Sequence, residues 1–128
     1  LVRSDHPQIG ETLSLPQLIA TPHVFHSPLG TRESIVDHYL ASQGLRREIS
    51  VNSQSYMSAA AIVSQSDHLL VLPRKVAELL ASAWPLKLVS LPTEMPSYHL
   101  NCVWHPVHDQ QPAQAWLRQL MRELVHSQ

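Results

Sequence analysis

The sequence predicts an α/β protein with two lobes, and three observations carry that expectation. Short strand signals alternate with helical stretches from Pro22 to Leu91, and the connections between them are short. The segments on either side, 1–21 and 98–128, carry apolar elements of their own. Residues 22–97 therefore read as one lobe, flanked by two segments belonging to a second lobe. Crossovers are expected near Ala20–Pro22 and Met95–Ser97.

The elements follow in chain order. Leu1-Val2-Arg3 reads as the end of a strand, which predicts chain before it, and Ser4–Glu11 as a loop containing Pro7 and Gly10. Thr12–Ala20 holds a short helix begun by Ser14, with Pro16 in its first turn. A strand over His23–His26 comes next. Thr31 is placed to cap a helix from about Arg32 to Gln43, whose apolar face is Ile35, Val36, Tyr39 and Leu40. Gly44 then stands where a left-handed residue closes the helix, with Leu45 supplying the hydrophobic contact. Glu48–Val51 reads as a strand, and Ser55 as the cap of an alanine-rich helix over Tyr56–Gln65. The apolar run Leu69–Leu72 has the character of a strand buried on both faces. Pro73 opens a helix with a stripe of Val76, Ala77, Leu79, Leu80 and Ala83, and Leu86–Leu91 returns as a strand. Beyond the prolines at 92 and 96, alternation from Tyr98 to Trp104 predicts another strand. The last helix, about Pro112–His126, is amphipathic through Trp116, Leu117, Leu120, Met121 and Leu124.

Composition narrows the function. A chain of 128 residues with a net charge of −1 has no electrostatic footprint for phosphate backbones or anionic lipid. Cys102, the single cysteine, excludes an internal disulfide and fits a reducing compartment. No apolar run approaches the roughly 18 residues that span a bilayer, and no signal-peptide pattern opens the chain. A cytoplasmic location is expected.

Several short motifs, in order, resemble those of LysR-type bacterial transcription regulators. They are Leu1-Val2-Arg3-Ser4-Asp5-His6-Pro7, Leu13-Ser14-Leu15-Pro16-Gln17-Leu18, Pro22-His23-Val24 and Ser27-Pro28-Leu29-Gly30. Gln43-Gly44-Leu45-Arg46-Arg47, Leu72-Pro73-Arg74, Val103-Trp104-His105-Pro106 and Trp116-Leu117-Arg118 continue the series. The last ones are similar to the subgroup of nodulation and nitroaromatic-responsive regulators. The resemblance spans essentially the whole chain. It implies a periplasmic-binding-protein-like (type 2) fold, with lobe II complete and lobe I partial, closing on a small-molecule effector. It also implies that a DNA-binding helix-turn-helix and the first part of lobe I precede Leu1. Self-association is implied through a helix and a strand of each lobe, here Arg32 to Gln43 and Glu48 to Val51.

In an open α/β sheet, ligands sit beyond the carboxyl ends of the strands. That selects Ser27, Gly30 and Thr31 after the first strand of lobe II, Ser53, Gln54 and Tyr56 after the second, and Leu72 after the third. Gly30 allows close backbone approach, and Thr31 lies at a positive helix end. Tyr56 offers an aromatic face, and Trp104 an apolar wall. Thr31 and Ser55 also read as simple helix caps, and Trp104 as core.

Other chemistries find less. His23 and His26, three apart on a strand, point to opposite faces, and His105 and His108 flank a proline turn without completing ligands. No metal and no cofactor are expected. There is no Gly-x-Ser-x-Gly elbow and no phosphate-binding glycine loop in a chain with three glycines, so no catalytic residues are assigned. A solute-binding protein of a transport system is the alternative binding module, and a stand-alone α/β enzyme the alternative from another class.

Overall fold

The computed structural model describes residues 1–27, 34–92 and 101–126. They belong to two compact units, Leu1–Pro96 and Ser97–Gln128.

The first unit is built on a parallel core. Strand β2 (His23–His26) lies between β3 (Ile49–Ser53) and β4 (Leu69–Leu70), parallel to both. Strand β1 (Val2–Arg3) pairs antiparallel with β5 (Leu86–Lys87). Leu1 joins that pair to β4 by exchanging both backbone hydrogen bonds with Leu70, at 2.7 and 2.9 Å. Strands β2, β3 and β4 run in one direction because α2 (Ile35–Ser42) and α3 (Tyr56–Ser64) return the chain between them, as a parallel connection requires.

Side chains alternate across this sheet into two apolar clusters. Leu1, Val24 and Leu70 face one cluster with Ala59, Ala60 and Val63 of α3 and Ala77 and Leu80 of α4 (Arg74–Ala83). Val2 and Leu69 face the other, with Leu18 of α1 (Leu15–Ala20) and Val36 and Leu40 of α2. The small residues of α3 permit close approach to the sheet, and Ala59, Ala60 and Val63 are fully buried. Residues 1–21, expected to belong to the other lobe, supply Val2, Ile9, Leu13 and Leu18 to this shared cluster.

Local sequence explains the helix ends. Ser14 and Gln17 form a reciprocal capping box at α1, with bonds of 3.3 and 2.9 Å. α2 ends as anticipated: Gly44 has φ +70°, its N–H donates to the Ala41 carbonyl, and Leu45 donates to Leu40 at 2.9 Å. The helix begins at Ile35 with Ser34 as its cap, while the expected start at Arg32 and cap at Thr31 lie outside the described residues. A second capping box forms there, in which the Asp37 carboxylate accepts from the Ser34 N–H at 2.8 Å. Strands β4 and β5 are shorter than the apolar runs that predicted them, and a Thr12–Ser90 bridge prolongs the β5 side.

The second unit, in its described residues, holds a short 3-10 turn over Pro106–His108 and helix α5 (Pro112–His126). The strand expected from Tyr98 to Trp104 is absent where it can be seen. Asn101–Trp104 are in no strand and are exposed, and among the described residues of this unit no strand is present to offer a ladder. Residues 98–100 lie outside the described residues. Among the described residues, no helix is long and apolar enough to cross a membrane.

Candidate functional site

The carboxyl edge of the parallel strands gathers four of the expected residues. Ser27, at the exit of β2, is only 3% exposed, and its backbone N–H donates to the Ser53 carbonyl at 3.0 Å. Ser53 ends β3 and turns the chain into α3. Its hydroxyl donates to the Ser55 carbonyl at 2.9 Å and accepts from the Ser55 N–H at 3.3 Å. Ser55 caps α3 by accepting from the Ser58 N–H, which settles its role as structural. Gln54 is exposed between them, and Tyr56 opens the helix. The loop is thus a preformed turn whose exposed groups are Gln54 and Tyr56.

The expectation from sequence missed His26 as part of this edge. Its imidazole lies against the Tyr56 ring, with centroids 3.7 Å apart and planes inclined by 34°. Its Nδ1 is buried and meets no hydrogen-bond partner. Burial lowers the pKa of this ring, and a backbone hydrogen bond with Ser53 opposes the shift. The signal was present in the sequence as a polar residue at the last position of a central strand.

Of the remaining candidates, Leu72 packs against the first apolar cluster, so it forms a wall and not a polar contact. Gly30 and Thr31 lie outside the described residues. Trp104 belongs to the second unit. There its Nε1–H donates to Asp109 at 3.0 Å, while the Arg118 guanidinium stacks 4.5 Å from its ring. Arg118 also donates to the Asp109 carbonyl at 2.7 Å, so Trp104 is the centre of a local clasp between the 3-10 turn and α5.

Beneath the edge, a charged network fixes the start of α2. Arg47, whose side chain is 2% exposed, grips Asp37 with two bonds of 2.8 and 2.9 Å. It also donates to Ser34 Oγ at 3.1 Å and lies over the Phe25 ring. Burial opposes ionisation of Asp37, but the hydrogen bonds from Arg47 and Ser34 win and hold its pKa at about 2. Fully buried His23 completes the network: Nε2 contacts the Leu18 carbonyl at 2.8 Å and Nδ1 contacts Arg47 at 3.0 Å. Because Arg47 can only donate, Nδ1 is the acceptor and Nε2–H donates to Leu18. Burial is the largest cause of its lowered pKa of about 4; the Leu18 carbonyl opposes it and the Arg47 charge adds to it.

The histidines are engaged individually. His6 Nδ1 accepts from the Gln8 and Ile9 N–H groups, and His105 Nδ1 accepts from Val107. Among the described residues, no group of three or more His, Cys, Asp or Glu is placed to hold a metal ion.

With this geometry in hand, similarity to known proteins is informative. The family model described as "LysR substrate binding domain" matches residues 1–125. The HTH-type transcriptional activator NahR of Pseudomonas putida is 31% identical over 124 residues, which are 97% of this chain and 41% of that protein. Nodulation protein D 2 of Bradyrhizobium sp. (strain NC92) is 28% identical over 111 residues, 87% of this chain and 32% of that protein. The regulatory domain of MexT, a transcriptional activator in Pseudomonas aeruginosa, superposes with a TM-score of 0.79 at 26% identity. That superposition covers 91% of this chain and 58% of the MexT chain. The chain therefore spans less than half the length of these two curated relatives.

Proposed function

Since the chain belongs to the LysR substrate binding domain family, with the periplasmic-binding-protein-like α/β fold of its regulatory domains, we propose that it senses a small effector for a transcription regulator. The observation that carries this reading is the carboxyl edge of β2 and β3. There Ser27, Ser53, Gln54 and Tyr56 come together at the ends of parallel strands, where open α/β sheets take ligands. Gly30 and Thr31, in the connection between β2 and α2, would add backbone donors to the same edge.

Residues 22–97 would form lobe II, with 1–21 part of lobe I and 98–128 the return into lobe I. Effector binding would bias two arrangements of the lobes through its differential affinity for them. Pairing of two copies through α2 and β3, an edge strand of its sheet, would pass that bias to a helix-turn-helix elsewhere in the protein. Such a regulator works in the cytoplasm and performs no catalysis. No observation among the described residues favours the transport-protein or enzyme alternatives.

The test is a thermal-shift screen of the full-length protein with small aromatic and carboxylic acids, followed by promoter-DNA binding with each hit. A ligand specific for the folded state raises the midpoint by mass action. A hit that also changes DNA affinity or footprint supports the proposal. A full-length protein that binds no promoter DNA overturns it.

A further inference from the structure

The amino end of the parallel core, opposite the proposed effector edge, holds a cavity of its own. Strands β2 and β4 begin there, tied by the Leu69 N–H donating to the Pro22 carbonyl at 2.9 Å. Between this end, the loop after β1 and the close of α1 lies a partly enclosed space of about 230 Å³. Its walls are fixed before any ligand arrives. The Gln8 and Ile9 N–H groups donate to His6 Nδ1 at 3.2 and 3.1 Å, so His6 is neutral with its hydrogen on Nε2. That hydrogen goes to the Asp67 carbonyl at 3.2 Å and joins the loop to the start of β4. Gln17 joins the same loop to α1. Its amide nitrogen donates to the Gln8 carbonyl at 2.9 Å, and its oxygen accepts from Ser14. Small-molecule sites share such pre-formed concavity.

What the walls leave over is chemically one-sided. Pro7 and Pro22 have no N–H to offer, and the side-chain donors of His6 and Gln17 are already committed. Three lining groups have no partner among the described residues: Asp67 Oδ2, the Thr21 hydroxyl and the Gln8 side-chain amide. Arg3 meets Asp67 through Oδ1 alone, at 2.8 Å, and also holds Asp5 at 3.0 Å. One guanidinium thus faces two carboxylates, and with His6 neutral the spot stays negative. A cation is attracted there and an anion repelled.

We propose that this cavity is a second ligand site, taking a small primary amine as its ammonium ion. The three N–H donors of the ammonium match three acceptors: Asp67 Oδ2, the Thr21 hydroxyl oxygen and the Gln8 amide oxygen. A short hydrocarbon body lies against Pro7, Ala20 and Pro22. The size agrees, since a cavity of about 150 Å³ takes a benzene ring, and this one has room for a head group with a short chain. A neutral alcohol of the same length keeps the body but brings one donor and no charge. A carboxylate of that length meets Asp67 with like charge. The site lies at the other end of the strands from the carboxyl edge and stands whether or not an effector binds there.

The experiment is a saturation-transfer NMR titration of the full-length protein with n-butylammonium, butan-1-ol and butyrate, suited to the millimolar affinity expected of so small a ligand. It is run on the wild type, Asp67→Asn and Ala20→Leu, with thermal midpoints to show that each variant folds. n-Butylammonium should bind roughly fivefold tighter than butan-1-ol, the gain from one largely exposed ion pair, and butyrate should bind least. Asp67→Asn should erase the preference for the amine and leave butan-1-ol unchanged. Ala20 is exposed at the end of α1, so leucine fits there without disturbing the core and fills the cavity. Ala20→Leu should therefore abolish saturable amine binding. Should Asp67→Asn fail to fold, the three probes on wild type and Ala20→Leu decide the matter alone. Butan-1-ol or butyrate binding as tightly as the amine overturns the inference, as does a preference retained in folded Asp67→Asn. Amine binding that survives in folded Ala20→Leu, or no saturable amine binding at all, overturns it equally. None of these results touches the effector reading at the carboxyl edge.

Discussion

Arg47 and Asp37 show what a single pair does in this fold. Arg47 is almost wholly enclosed, so its charge depends on the Asp37 carboxylate at 2.8 Å. Asp37→Asn leaves that guanidinium without its counter-charge, and the expected loss is roughly 2–4 kcal/mol, tempered by the partial exposure of Asp37. Urea unfolding of the variant against wild type measures it. The same network sets an acid limit. His23 has a folded pKa of about 4 against an ordinary 6.5, so the unfolded chain binds its proton first. Its contribution is therefore complete above pH 6.5 and lost as pH falls through about 4. Asp37, with a pKa of about 2 against 3.8, adds a further loss below pH 3.8. Unfolding midpoints should fall steadily from pH 6.5 to 4, and more shallowly in His23→Leu. A midpoint that is flat over this range would remove His23 from the acid response. None of this network was legible from sequence. Arg47 is ten residues from Asp37, and only the return of the chain through Gly44 brings them together.

At the scale of elements, the sequence signals that held were those written within one turn of backbone. Ser14 with Gln17 and Gly44 after α2 each satisfy backbone groups that a helix end leaves bare, while Pro73 stands at the start of α4 without a side-chain cap hydrogen bond. Ser34 obeys the same rule, with Asp37 three residues on closing both halves of a capping box. The strand expected at Tyr98–Trp104 shows the opposite limit. Alternation describes a strand's faces but cannot supply the neighbour whose backbone it must bond. Three substitutions separate these effects. Ser14→Ala should cost about 1 kcal/mol, as a cap alone. Ser34→Ala should cost more, because Ser34 also accepts from Arg47. Gly44→Ala should cost about 1 kcal/mol through its positive φ alone, since an added Cβ there meets nothing within 4 Å. Equal losses at Ser14 and Ser34 would contradict the role given to Arg47.

For the whole molecule, the division of labour follows from charge and topology. A net charge of −1 gives the chain no overall attraction for phosphate backbones, while the parallel core presents the carboxyl edge at which the proposed effector would sit. The α/β class and the family were legible because they are written in motif order along the whole chain. The rim was legible as a set of loops, through the rule for open sheets, but not as chemistry. That Ser55 is a cap, that Leu72 is wall and that His26 carries an orphaned nitrogen all depend on three-dimensional placement. The central claim is that an effector binds at this rim. Hydrogen–deuterium exchange of the full-length protein, with and without a hit from the thermal-shift screen, tests it most directly. Protection is expected over Phe25–Ser27 and Ser53–Met57, with Tyr39–Ser42 of α2 little changed. Unaltered exchange at both segments, with protection concentrated elsewhere, would contradict it.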